Sequence, residues 1–275
     1  MAIRGIKKEF VNELKNGSLE FFLDKIKNEP DKYVLGIRKN YINIYYRGGN
    51  ILRIRWHRGN RYSFKFDIKY CKNKKASSKF EPLLKLDSNN AKDFIENFEL
   101  MRLAMDYWFE EHRKKEREYQ QRLFTANDCV IDIEYAIGRS MRLDMIIVTG
   151  ETLIVVENKY GIGAIKGNAG IRKHYEDFLK VFDKEDIYNE MLQSIANISQ
   201  NMYELGLTDT VIDIQKIKNK KIIFLMAGYN SQSILLDKQI EEIKEIKEKK
   251  YPVDILFMNM DEYDINLNKA QPVIR

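Results

Sequence analysis

Residues 141–160 read MRLDMIIVTGETLIVVENKY, and two apolar runs in this stretch flank the dipeptide Gly150-Glu151. A two-residue loop with glycine first is typical of a type II′ hairpin turn, so the stretch predicts two antiparallel strands. The loop length also fixes the register, and counting outward from the loop places Asp144 opposite Glu157. Like charges directly opposite each other destabilise a sheet. The hairpin therefore predicts a cation close to these two carboxylates.

Lys159 lies two residues beyond Glu157 and shares its face of the strand. Magnesium prefers oxygen ligands and keeps several waters, so the predicted metal ligands are Asp144, Glu157 and the carbonyl of Asn158. Mg²⁺ or Mn²⁺ held there would polarise a phosphoryl oxygen and lower the pKa of a bound water, while Lys159 would orient that water or stabilise developing charge. These residues predict hydrolysis of a phosphodiester bond.

Outward from the hairpin, the period of apolar residues predicts a mixed α/β sheet with helices on both faces. Helices are expected over residues 167–205 and 231–247. A longer helix is predicted from N-caps at Ser88-Asn89-Asn90 to about Leu123, and its apolar stripe also carries Glu116. Glu116 is therefore either at the solvent edge of that helix or facing an interior site. The predicted strands are residues 130–136, 141–149, 152–159, 222–227 and 253–258.

Residues 1–88 differ from the rest of the chain in pattern and charge. Two short helices are expected between Lys7 and Asn28, and apolar residues then alternate with polar ones over residues 42–68, which predicts an antiparallel meander. Residues 31–79 carry fourteen Lys and Arg against two acids, a net +12, which leaves −6 for the remainder of a chain whose total is +6. One face of the meander is predicted to be basic, and it would follow a phosphate backbone or remain a solvated face. The residues expected on it are Arg53, Arg55, His57, Lys65 and Lys69.

The composition excludes several classes of protein. With 44% hydrophobic and 32% charged residues, and with 14 Gly and 4 Pro in 275 residues, the chain is expected to fold around a sizeable core. No apolar stretch approaches the roughly 18 to 20 residues that cross a bilayer, and the first residues lack the apolar run of a secretory signal. Cys71 and Cys129 make neither a disulfide framework nor a zinc site, so a cytoplasmic location without a membrane partner is expected.

Asp144, followed thirteen residues later by Glu157-Asn158-Lys159 across a hairpin, resembles the motif of the PD-(D/E)XK nuclease superfamily. The segments Ile133-Glu134-Tyr135 and Arg142-Leu143-Asp144 are similar to the flanks of an "IENK" form in its bacterial and phage branches. The resemblance covers about residues 90–258 and implies a restriction-endonuclease-like fold, with Asp144 and Glu157 as metal ligands and Lys159 as the catalytic lysine. Glu116 is similar to the helix glutamate of archaeal Holliday-junction resolvases, which implies a further catalytic metal ligand.

The sequence departs from the family pattern at two places. Leu143 stands where the motif has proline, and Gly170 stands where related sequences carry a glutamine on the following helix. His174 and Tyr175 lie near a tyrosine position of that pattern, so the contribution of the helix is left open. Spacing alone is weak evidence, because the D/E-x-K pattern also occurs at Glu13-Leu14-Lys15, Glu242-Ile243-Lys244 and Asp67-Ile68-Lys69.

Together these observations predict a metal-dependent nuclease that hydrolyses phosphodiester bonds of nucleic acid, with DNA expected from the family resemblance. Residues 1–88 are expected to form a basic α+β domain that binds nucleic acid, and residues 89–275 to form the nuclease domain. The alternative is a non-catalytic nucleic-acid-binding protein with a degraded nuclease fold, and a homodimer is left open. The predicted substrate contacts are Arg53, Arg55, Lys65, Lys166 and His174, with Arg172 as a further candidate; for Lys166, Arg172 and His174 the alternative is a solvated helix face.

Overall fold

A computed structural model describes residues 3–59, 61–72, 77–138, 141–161, 170–229, 234–245 and 250–274. The chain divides into two compact units. The N-terminal unit consists of Ala2–Gln121 and Asn197–Val211, and the C-terminal unit consists of Arg122–Ala196 and Ile212–Arg275. The predicted boundary between residues 88 and 89 differs from this division, because residues 89–121 pack against the N-terminal sheet. The ring centroids of Phe94 and Phe64, for example, lie 5.2 Å apart.

The helices are α1 (Lys8–Asn16), α2 (Glu20–Asn28), α3 (Ala91–Glu96), α4 (Phe98–Glu111), α5 (Lys115–Ala126), α6 (Ile171–Asp183), α7 (Glu185–Glu204) and α8 (Ile234–Lys244). The strands are β1 (Tyr33–Arg38), β2 (Tyr41–Tyr46), β3 (Gly49–His57), β4 (Arg61–Lys65), β5 (Val130–Ile137), β6 (Met141–Thr149), β7 (Thr152–Tyr160), β8 (Asn219–Ala227), β9 (Val253–Met258) and β10 (Gln271–Ile274). Within the described ranges, no helix is both long enough and apolar enough to cross a membrane.

Strands β1 to β4 form an antiparallel four-stranded sheet in the N-terminal unit, with the strands in sequence order. The predicted meander is confirmed, and β1 extends it by one strand that lies outside the prediction. The residues of β1 are buried throughout, so they show no alternation of apolar and polar positions. Helices α1 and α2 cover one face of the sheet, where Phe10 contacts Tyr62 and Phe22 contacts Phe64.

The fourth strand is shorter than predicted. β4 ends at Lys65, and Ile68–Cys71 forms a 3-10 helix instead of continuing the strand. The side chain of Asp67 accepts a hydrogen bond of 3.1 Å from the backbone N of Lys69, and such local bonds compete with a sheet ladder. The prediction that Lys69 lies on the basic face of the sheet is therefore wrong. Its Nζ forms an ion pair with Asp67 at 2.6 Å.

The single helix predicted from residue 88 to about residue 123 is wrong, because the chain forms α3, α4 and α5 there. The predicted N-cap is confirmed, since the side chain of Asn90 accepts a backbone N–H bond of 3.1 Å. The first break comes at Asn97, whose side chain donates to the carbonyl of Asp93 at 2.8 Å. The second break follows α4, where the ring of His112 stacks on Trp108 with centroids 3.9 Å apart.

The C-terminal unit contains a mixed six-stranded sheet in the order β10-β9-β8-β7-β6-β5. Strands β5, β6 and β7 pair antiparallel, β7, β8 and β9 pair parallel, and β10 returns antiparallel at the edge. The predicted mixed α/β class and the five predicted strands are confirmed. The additional strand β10 is a short edge segment, QPVI, without a strand periodicity in the sequence.

Helices α6, α7 and α8 pack apolar side chains against one face of this sheet, and β7 contributes Leu153 and Val155 to the same core. Because side chains alternate along a strand, Glu157 and Lys159 follow on that face at the carboxyl end of β7. A charged segment thus continues a strand that begins as hydrophobic core. Other members of this core are Tyr175, Phe178, Ile195, Phe224 and Leu236.

Candidate active site

The turn at Gly150-Glu151 sets the register of the β6–β7 hairpin. Gly150 adopts a φ of 53°, as the first central residue of a type II′ turn does. Five successive pairs, from Thr149↔Thr152 to Met145↔Val156, follow the predicted register without a bulge. Asp144 and Glu157 are the next residues on the two strands, immediately beyond the last of these pairs.

Glu157 is a buried carboxylate with described side-chain partners at only one of its two oxygens. The residue is 4% exposed, its Oε1 accepts a hydrogen bond from Lys159 Nζ at 2.6 Å, and His174 Nε2 lies 3.0 Å from the same oxygen. Its other oxygen, Oε2, is buried and has no hydrogen-bond partner in the part of the chain that the structure describes. A buried charged oxygen without a partner is costly, so this atom marks a position where a further cation or donor would be stabilising.

Asp144 is tied to the backbone of the neighbouring strand. Its Oδ2 accepts a hydrogen bond of 3.0 Å from the backbone N of Asn158, the residue between Glu157 and Lys159. Asp144 is partly exposed, so its carboxylate lies at the edge between the buried pair and solvent. The predicted role of the Asn158 carbonyl as a metal ligand stays a prediction. The Asn158 side chain is fully buried, and neither of its polar atoms has a hydrogen-bond partner among the described residues.

Helix α6 supplies a residue to this site. His174 reaches Glu157 from the helix, whereas the half-exposed Arg172 forms an ion pair with Glu176 at 3.2 Å. The sequence left the contribution of the helix open. His174 precedes the buried Tyr175 on α6, which places it near the sheet but does not identify its partner. Burial raises the pKa of the Tyr175 phenol, which therefore stays protonated at neutral pH.

Glu134 is a residue that the sequence analysis did not single out as functional. The ladder between β5 and β6 pairs Ile133 with Met145 and Tyr135 with Leu143, so Glu134 stands beside Asp144 on the adjacent strand. Glu134 has a φ of 55°, which is uncommon for a residue with a side chain, and it forms an ion pair with Arg142. Backbone strain of this kind concentrates near functional sites, and a positive φ is not visible in a sequence.

The other predicted site residues lie elsewhere in the chain. Glu116 is in the first turn of α5 and belongs to the N-terminal unit, so its predicted role as a metal ligand stays a prediction. Arg53, Arg55 and Lys65 also belong to that unit, and Lys166 lies outside the described residues. Across the residues that the structure describes, no group of three or more His, Cys, Asp or Glu side chains is arranged to hold a metal ion.

The donors at the Asp144–Glu157 hairpin nevertheless suit a magnesium-like cation. Mg²⁺ keeps several waters and is usually bound by one or two protein carboxylates, so a full cage of protein ligands is not required. Lys159 supplies one positive charge against two carboxylates, and the unpartnered Oε2 of Glu157 is a hard oxygen donor. Glu157 and Asp144 are therefore the residues of this unit that would hold a divalent cation.

Comparison with known proteins adds no relative. No family model matches the chain, and searches of curated proteins and of solved structures find no match either. The chemistry and geometry of the site are therefore the basis for assigning a function.

Proposed function

We propose that this protein is a metal-dependent nuclease with a restriction-endonuclease-like fold, which hydrolyses phosphodiester bonds of nucleic acid, with DNA as the expected substrate. The observation that carries the proposal is the buried Oε2 of Glu157, which has no partner among the described residues. The next residue, Asn158, donates its backbone N–H to Asp144, so a second carboxylate reaches the same end of β7. The element order α5, β5, β6, β7, α6, β8 also agrees with the order that the family resemblance implies.

Each residue of the site has a distinct task in the proposed reaction. Glu157 and Asp144 would hold Mg²⁺ or Mn²⁺, which supplies charge to a phosphoryl oxygen and lowers the pKa of a bound water. Lys159 holds Glu157 in place through the 2.6 Å ion pair, and its ammonium is available to stabilise negative charge that develops on the phosphate. His174 orients Glu157 from α6 through the 3.0 Å contact.

The expected preference for DNA and the predicted role of Glu116 as a metal ligand come from the family resemblance and remain part of the proposal, as does the predicted phosphate contact of Lys166. A second candidate is a binding protein with a degraded nuclease site. The observation that favours it is that Oε1 of Glu157 already pairs with Lys159 and His174, as in a purely structural ion pair. The two candidates differ in one outcome. A nuclease cleaves nucleic acid when a divalent cation is present, whereas a binding protein does not cleave it under any metal condition.

The test is incubation of the purified full chain with supercoiled plasmid, linear duplex DNA, single-stranded DNA and RNA, each with Mg²⁺, Mn²⁺ or EDTA. We expect cleavage that requires the metal and is lost in Asp144→Ala and Lys159→Ala. The matched control is Glu242→Gln, which changes a helical E-x-K glutamate outside the site and should cleave as the wild type does. Binding without cleavage under every metal condition would contradict the proposal and favour the binding protein.

A further inference from the structure

The four strands of the N-terminal sheet contain no acidic residue. Side chains that alternate with the buried core positions of β3 and β4 lie on one face, which carries Arg53 and Arg55 of β3 and Arg61 and Lys65 of β4. We name these four residues the basic sheet face. All four are at least partly exposed, and none has an ion-pair partner among the residues that the structure describes. Other surface cations, such as Lys92 and Lys216, pair with carboxylates.

The register of the sheet sets positive charges directly against each other. Arg53 pairs with Lys65 across β3 and β4. Like charges in such positions destabilise a sheet, since their Cβ atoms lie only roughly 4.5 to 5.5 Å apart. With no carboxylate in any of the four strands, an external anion would relieve the repulsion. The arrangement mirrors that of Asp144 and Glu157, with the opposite sign.

Arg53 is held in its orientation by residues of the neighbouring strand β2. Its Nε donates to Asn43 Oδ1 at 3.2 Å, and its guanidinium lies over the ring of Tyr41 at 4.8 Å from the ring centroid. Asn43 is in turn held by a 3.0 Å hydrogen bond to the hydroxyl of Tyr45. The terminal nitrogens of Arg53 have no hydrogen-bond partner among the described residues, so they remain available to an anion while the side chain is already ordered.

Tyr41 indicates which part of a nucleic acid this face would contact. The guanidinium of Arg55 lies 4.9 Å from the same ring centroid, so both arginines cover Tyr41. A ring that positions two guanidinium groups is less available for stacking on a base. Arginine terminal nitrogens match phosphate oxygens in geometry and charge. The face therefore fits the backbone of a nucleic acid better than its bases.

We infer that the basic sheet face binds the sugar-phosphate backbone of the nucleic-acid substrate, independently of base sequence. The inference deepens the proposed function, because it names the surface that holds the substrate, and it rests on that function for the identity of the polyanion. Binding of this kind releases counterions from the nucleic acid, so its affinity falls with salt concentration.

The test measures binding to labelled duplex DNA, single-stranded DNA and RNA by fluorescence anisotropy, in EDTA, between about 50 and 200 mM salt. The parent protein is full-length Asp144→Asn, which removes cleavage from the measurement. The test variant adds Arg53→Gln and Lys65→Gln, and a second variant adds Arg55→Gln and Arg61→Gln. The control adds Lys92→Gln and Lys216→Gln, two exposed lysines that pair with carboxylates at 3.6 and 4.0 Å.

We expect both test variants to bind more weakly than the control and to lower the salt slope by about 1.8 on duplex DNA, or about 1.4 on a single strand. Of duplex DNA, single-stranded DNA and RNA, the one that the parent binds most tightly identifies the kind of nucleic acid that this face holds. Equal affinities and slopes in the test and control variants would overturn the inference, as would a strong dependence on base sequence or no binding by the parent. Tryptophan fluorescence checks folding, since Trp56 and Trp108 both lie in the N-terminal unit.

The two proposals fail in different ways. A wild-type protein that binds through this face but cuts nothing with any metal would overturn the nuclease and leave the inference standing. A wild-type protein that cuts, while the test variants bind as the control does, would overturn the inference alone.

Discussion

The chain contains two acid–lysine ion pairs that have the same spacing and length but opposite surroundings. Asp67 and Lys69 lie 2.6 Å apart with side chains 46% and 41% exposed, whereas Glu157 and Lys159 lie 2.6 Å apart with both side chains 5% exposed. Water reaches the first pair, while Oε2 of Glu157 is buried without a partner in the described part of the chain. The spacing of acid and lysine alone therefore does not predict a functional site. Burial makes the unpartnered carboxylate oxygen costly, so a further cation would be stabilising at Glu157 and not at Asp67.

The largest expected difference between the two pairs is in stability. Removing one partner of a buried ion pair leaves an unpaired buried charge and costs about 3 to 5 kcal/mol. An exposed pair contributes about 0 to 1 kcal/mol. We therefore expect Lys159→Met to lower the free energy of unfolding of the C-terminal unit by the larger amount, and Lys69→Met to lower that of the N-terminal unit by the smaller amount.

Separate probes are needed for this measurement because the chain has two units. Hydrogen exchange of β7 amides in EDTA reports on Lys159→Met, and tryptophan fluorescence during urea unfolding reports on Lys69→Met, since both tryptophans lie in the N-terminal unit. Adding Glu157→Leu to Lys159→Met should recover most of the lost free energy of unfolding, because it removes the unpaired buried carboxylate. Equal small losses in the two units would show that burial does not distinguish the pairs.

The next effect concerns catalysis by the buried pair. Glu157→Gln keeps the shape of the side chain but removes its charge. Mutation of a residue that only supports a metal ligand already lowers activity or metal affinity about 10-fold to 100-fold, so we expect kcat of Glu157→Gln to fall by at least about 100-fold. Asp67→Asn makes the matching change in the exposed pair and should leave kcat at saturating substrate unchanged. Steady-state cleavage rates measure both. Similar rates in the two variants would argue against a catalytic role for Glu157.

A smaller effect is expected at His174, which contacts Glu157 but is not a predicted metal ligand. We expect His174→Gln to lower kcat by about 10-fold with little change in KM, because it loosens the orientation of Glu157 without removing the carboxylate. Arg172→Gln is the matched control on the same helix, since Arg172 pairs with Glu176 away from the site. A rise in KM with unchanged kcat would instead assign His174 to substrate binding.

The sequence predicts the hairpin and its register well, for a local reason. A two-residue loop beginning with Gly150 permits few registers, and the apolar runs on both sides define long strands. Both the neighbourhood of Asp144 and Glu157 and the face shared by Glu157 and Lys159 follow from this short segment. Local chain geometry therefore determines most of the candidate site.

The features that the sequence did not predict depend on longer-range packing or on local competition. The contact of His174 with Glu157 requires the rotation of α6 against β7, which the periodicity of the helix alone does not give. The helix breaks near Asn97 and His112 are hidden by an apolar stripe that continues across them. Beyond β4 the chain turns into a 3-10 helix, where Asp67 accepts hydrogen bonds from the backbone N of Lys69 and of Tyr70.

The central claim is that the buried carboxylate of Glu157 binds a divalent cation, and metal binding tests it without any need for cleavage. Mn²⁺ is titrated into the full chain and free Mn²⁺ is followed by electron paramagnetic resonance, for the wild type, Glu157→Gln and Asp67→Asn. We expect the wild type and Asp67→Asn to bind the ion with equal affinity and Glu157→Gln to lose it. Equal binding by all three proteins, or binding by none of them, would show that Glu157 does not hold a divalent cation.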